Sequence, residues 1–159
     1  MRLTCLQLVF SLLVLMWIPA HAGSTPKTKI FLRVHVQTNA AGLPNTQVAS
    51  VAVPPDNEVI QIRALPELTE QNLIDVQSTA TGGVRLMFNH TGQVNLDAVT
   101  AENDGRILVV MLNGYVLYAP IIDQRITTGE LDIPHPLSPQ VLQLLQETAQ
   151  NNVLQASKR

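Results

Sequence analysis

The groups in this chain that could do chemistry are four histidines, one cysteine and twelve carboxylates, and their spacing converges nowhere. His21 lies within an A-x-A cleavage motif, His35 falls on the polar side of an alternating strand, His90 sits at a turn, and His135 lies between two prolines. No pair has H-x-x-x-H or H-x-H spacing, and Cys5 belongs to the N-terminal segment, so no zinc site is written here. Solvent-facing or locally bonded histidines are expected. No serine occupies a G-x-S-x-G elbow, and Ser138 is explained as a helix cap. Gly82-Gly83 is followed by neither Lys-[Ser/Thr] nor a helix start, which makes it a strand-to-strand turn rather than a phosphate loop. Asp97, Glu102 and Asp104 lie on or beside one helix and read as its solvated face, and Glu102-Asn103-Asp104 offers too few oxygens for a divalent cation. Asn89-His90-Thr91 fits a glycosylation sequon, which we read as coincidence because an Asn-x-x-Gly turn explains the same residues. We expect no catalytic residue, no metal and no cofactor. The chain reads as a non-enzyme.

One stretch could bind rather than react. Ile107 to Leu112 is an apolar run, Asn113-Gly114 is the strongest two-residue hairpin turn because both residues accept positive φ, and Tyr115 to Tyr118 is a second β-rich run ending at Ala119-Pro120. Tyr115 and Tyr118 are the only tyrosines, with Leu117, Pro120 and Ile121 beside them. One reading is a sheet surface covered by helices. The other is a binding edge of Tyr115, Leu117, Tyr118, Pro120 and Ile121, whose unpaired N–H and C=O groups meet an extended peptide.

The elements that would position this edge follow from the pattern along the chain. Residues 1–22 read as a cleavable signal peptide: Arg2, an apolar stretch from Leu6 to Ile18, then Ala20-His21-Ala22. The apolar stretch is shorter than the roughly 20 residues of a membrane span. Cleavage there would remove Cys5 and Arg2, leaving nine Lys/Arg against twelve Asp/Glu. There is no basic run, which argues against nucleic-acid binding, and no later apolar stretch of spanning length, so the mature chain should be soluble. Residues 23–28 form a polar leader, 29–150 a single domain, and 151–159 a polar tail.

Within that domain, Lys29 to Gln37 alternates as a half-buried strand, and Gln47 to Val53 and Glu58 to Ala64 are two more, joined across Pro54-Pro55-Asp56-Asn57. A short helix capped by Thr69 is predicted from Leu68, giving way near Asp75 to a strand, and Val84 to Phe88 is another. Thr91 to Asn103 is predicted as a helix, Asp123 to Ile133 as a small hairpin turning at Thr128-Gly129, and Ser138-Pro139 opens the last helix. Hairpins rather than long crossovers around two helices predict an α+β fold with a mainly antiparallel sheet.

The order of these motifs resembles the head subdomain of the first periplasmic domain of the SecD/SecDF protein-export subunits. The likeness covers Leu68 to Thr148. It runs through Leu68 to Ile74, Phe88-Asn89-His90-Thr91-Gly92, the helix and Asn-Gly hairpin, the segment Ile126 to Ile133, and the start of the last helix. Family members usually have Asp where this chain has Asn113, and Ile-x-Gly-x-Phe-Thr where it has Ile133 to Ser138. They also carry several transmembrane helices, which are not seen here. The resemblance implies a periplasmic or secreted binding module whose partner is unfolded or extended polypeptide, or an export or envelope protein. The alternative on the same scaffold is a binder of a small molecule or envelope polymer, which predicts a closed apolar pocket in place of an open edge.

Overall fold

Period-two alternation builds the first sheet. In the computed structural model, which describes residues 29–39, 44 and 47–158, strand β1 (Leu32–Val36) turns Leu32, Val34 and Val36 into the main core. Strands β2 (Val48–Val53) and β3 (Glu58–Arg63) form a separate hairpin whose Ile60 and Ile62 pack a second, smaller cluster around Val109. The predicted signal peptide and leader lie outside the described residues.

Leu68 opens no helix proper. Strand β4 (Leu68–Thr69) pairs with β1, and a single 3₁₀ turn, Glu70–Asn72, follows. The predicted cap is present: Thr69 Oγ1 accepts from Gln71 N at 3.3 Å while Asn72 Oδ1 accepts from Thr69 N at 3.0 Å. Strand β5 (Leu73–Ser78) therefore begins two residues before the expected Asp75. It turns at Gly82-Gly83 into β6 (Val84–Phe88), as the sequence predicts. Helix α1 (His90–Glu102) is capped by Asn89, whose side chain accepts from Gly92 N at 2.9 Å. That bond accounts for the asparagine of the sequon.

The hairpin β7 (Leu108–Leu112) and β8 (Tyr115–Tyr118) turns at Asn113 and Gly114, with φ of 50° and 87°. Asn113 also holds β1, accepting from Phe31 N through Oδ1 at 2.9 Å and donating its own N–H to Phe31 O at 2.9 Å. Strand β9 (Glu130–Ile133) and helix α2 (Pro139–Ala156) complete the chain.

Every strand pairing among the described residues is antiparallel, in sheets ordered β4-β1-β7-β8, β2-β3 and β5-β6-β9. The first and third sheets share one apolar core with both helices; Leu96 of α1 and Leu145 of α2 are fully buried in it. The fold is α+β with antiparallel sheets and two helices.

Three expectations are corrected. Asp123 to Ile133 is not a hairpin: β9 pairs with β6, and the backbone of the preceding connection bonds to side chains of α1 instead. Residues 151–156 are not tail but the last turns of α2, fastened where Asn152 Nδ2 donates to Glu70 O at 2.7 Å and Leu73 O at 2.8 Å. His35 is not on a solvated face, because the β2-β3 hairpin covers that side of the sheet and leaves it 7% exposed.

Candidate functional site

Strand β8 is the last strand of its sheet, so every second residue turns its N–H and C=O away from β7 with no strand among the described residues to receive them. The Val110/Met111 step carries a register shift against β8, which twists the edge at its centre. β9 is likewise the last strand of the other sheet. Between the end of β8 and β9 lies an open groove of about 580 Å³, lined also by the connection 123–128.

The five sequence-predicted edge residues divide. Tyr118, Pro120 and Ile121 line this groove together, Ile121 strongly exposed and Tyr118 half-buried. The Tyr118 ring meets His135 edge-on, centroids 6.0 Å apart at 74°. Leu117 leans against the main core instead, and Tyr115 stands at the hairpin tip, 80% exposed and away from the groove.

The opposite wall is charged, and the sequence reading missed it. Arg85 of β6 lies across from Asp132 of β9 in the strand register. Its Nε and Nη2 donate to the two carboxylate oxygens at 2.7 and 2.8 Å, while Nη1 reaches Glu130 at 3.2 Å. Arg125 clasps Asp97 of α1 with Nε and Nη2. The paired guanidiniums hold the Asp97 and Asp132 carboxyls below the usual carboxylate range, so both are ionised at neutral pH. Asp97 is thus an anchor rather than part of a bare solvated face.

The connection owes its position to a polar stripe on α1. Gln93 Nε2 donates to Thr127 O at 2.7 Å, Asp97 holds Arg125, and Thr100 Oγ1 accepts from Ile126 N at 2.9 Å. Gln93, Asp97 and Thr100 stand at i, i+4 and i+7, one face of a helix. The spacing is visible in sequence, yet only the partner loop reveals what it is for.

Among the described residues no group of His, Cys, Asp and Glu could hold a metal ion. His35 Nδ1 bonds Arg63 O at 2.8 Å, its carbonyl accepting. Burial, with some help from Arg33, pushes its pKa below the ordinary 6.5 against the opposing pull of that carbonyl and Glu67. The unfolded chain therefore binds more protons than the folded one just below pH 6.5. Stability contributed here is present above that value and falls on acidification. A urea midpoint that declines from pH 7 to 5.5, and declines less steeply in His35→Gln, is the expected result.

The sequence pattern of the SecDF P1 head subdomain matches residues 46–147, well over half of the chain. The chain belongs to the SecDF P1 head family. Solved structures agree in fold. One is of SecDF, a membrane component that enhances protein export, with 20% identity and a TM-score of 0.55 over 77% of this chain and 62% of that one. Another is SecDF in a super-membrane-facing form, with 23% identity and a TM-score of 0.52 over 76% of this chain and 18% of that one. This SecDF head chain thus spans less than two thirds of either. No curated protein matches the sequence. No helix among the described residues is long and apolar enough to cross a membrane.

Proposed function

We propose that this SecDF-head protein is a non-enzymatic periplasmic module that binds extended polypeptide, in export or envelope folding, along the free edge of β8. The observation that carries the reading is the union of an unpaired strand edge with a groove. β8 ends its sheet among the described residues, and Tyr118, Pro120 and Ile121 lead from that edge into the groove, where they share the lining with the buried Leu108, Ile122 and Leu131. Main-chain bonds to the edge would supply affinity without regard to sequence, and the groove would grip side chains. The groove is open and walled with charge, which suits a passing chain better than the enclosed small molecule of the alternative reading.

The test is fluorescence anisotropy of labelled, reduced and unfolded model polypeptides with the full chain. Binding near micromolar strength is expected, weakened roughly tenfold by Tyr118→Ala and little changed by Tyr115→Ala at the hairpin tip. Absence of binding at ~100 μM, a concentration that would register even weak recognition, sinks the reading.

A further inference from the structure

We propose that the segment held in the groove beside β8 carries a lysine or arginine among apolar residues, an inference that rests on the polypeptide-binding reading above. Among the described residues, both cations lining the charged wall are already paired with carboxylates. Arg85 spends Nε, Nη1 and Nη2 on Asp132 and Glu130, and Arg125 spends Nε and Nη2 on Asp97. An incoming carboxylate or phosphate would have to break a bidentate pair or settle for Arg125 Nη1, on a guanidinium whose charge Asp97 already balances.

A cation meets the opposite situation. Two guanidiniums, Arg85 and Arg125, stand against three carboxylates that line the groove, Asp123, Glu130 and Asp132, while Asp97 balances Arg125 from α1. Asp123 lines the groove and has no ion pair among the described residues. Glu130 touches Arg85 through a single oxygen at 3.2 Å, leaving the other to accept again. Tyr118, Pro120 and Ile121 line the same groove, so a long aliphatic stem can lie along them while its charged head reaches the wall. The excess negative charge and the apolar side chains of Tyr118, Pro120 and Ile121 together select a basic-apolar strand over an acidic one.

The wall is solvent-exposed, so the preference is modest and sensitive to salt. The experiment uses three labelled peptides, identical and apolar except for a central Lys, Gln or Glu, titrated with the full chain. The Lys peptide is expected to bind roughly two- to fivefold more tightly than the Glu peptide, with Gln between them. Asp123→Asn, an exposed loop change checked by an unaltered thermal midpoint, should shrink that gap, as should raised salt. Equal affinity for all three peptides in the unsubstituted protein overturns the charge preference and leaves the edge reading standing. If none of the three binds, the edge reading falls and this inference falls with it.

Discussion

Leu86→Ala is expected to lower the folding stability by about 2–5 kcal/mol, the range seen when a fully buried leucine is truncated and its site cannot collapse. Leu86 sits in β6, the middle strand of its sheet, and its solvent exposure is 0%. Val76 stands opposite on β5 and Leu131 on β9, both in the same core. All three are held in strand register, so none can swing far into the space a missing isobutyl group leaves. Against a total of about 5–15 kcal/mol for an ordinary domain, that loss is large. Chemical denaturation reads it as a lowered midpoint at unchanged slope. Val59→Ala on the outer hairpin, where the side chain is 68% exposed, should stay within about 0.5 kcal/mol. Because β9 carries Glu130 and Asp132, polypeptide binding should fall with the folded fraction of Leu86→Ala, whereas in Val59→Ala it should persist. If the two variants were equally stable, the placement of β6 at the heart of the core would be wrong.

The fold was legible wherever one residue or one period decides the local structure. Asn113-Gly114 demands positive φ, and the turn forms there. Ser138 with Pro139 begins α2, and Thr69 caps the 3₁₀ turn. What the sequence hid was pairing at a distance. Ile126 to Ile133 contains β-branched residues and a glycine, so it reads as its own hairpin. Only the adjacency of β6 makes β9 a partner of Val84 to Met87 and frees the preceding residues to bond with Gln93 and Thr100. The end of α2 was hidden for a similar reason. Asn151, Asn152 and the residues after them are polar enough for a tail, and what keeps Asn152 helical is a pair of carbonyls in the Glu70–Leu73 segment. His35 looked solvated because alternation gives one face of β1 to the core. It cannot reveal that a separate hairpin lies on the other.

The candidate site follows the same division. Tyr118, Pro120 and Ile121 could be picked out because aromatic and apolar residues at the end of a hairpin are conspicuous in sequence. Arg85, Glu130 and Asp132 could not, since they are scattered singly and become a wall only through the cross-strand register of β6 and β9. Asp97 and Arg125 meet through a helix and a loop 28 residues apart. Local chemistry names the edge, and topology supplies the charge beside it.

The second large effect is expected at Gly92, where two local preferences oppose each other. Gly92 lies in the first turn of α1, and alanine there would gain up to about 1 kcal/mol from helix propensity alone. A Cβ on Gly92, however, would come to 2.7 Å from Phe88 Cβ and 3.0 Å from Asn72 Cβ. Neither neighbour is the free end of a flexible chain. Phe88 Cβ is fixed by the backbone of β6, and Asn72 is held by the Thr69 cap and by the Asn89 N–H donating to its carbonyl at 2.8 Å. Relief would have to come from moving α1 off the 3₁₀ turn, and crowding of this kind costs about 1–3 kcal/mol. Gly92→Ala should therefore lose stability on balance. Gly92→Val, which adds two more carbons and a stiff branch in a helix, should lose about 3 kcal/mol or more. Val94→Ala, half exposed on the same helix, provides the baseline and should match or slightly exceed the unsubstituted midpoint. A gain for Gly92→Ala would show that α1 does not seat as closely on Phe88 and Asn72 as described. A loss would give the Phe-Asn-x-x-Gly segment its physical meaning: asparagine caps the helix, and glycine lets it reach the sheet that carries the groove.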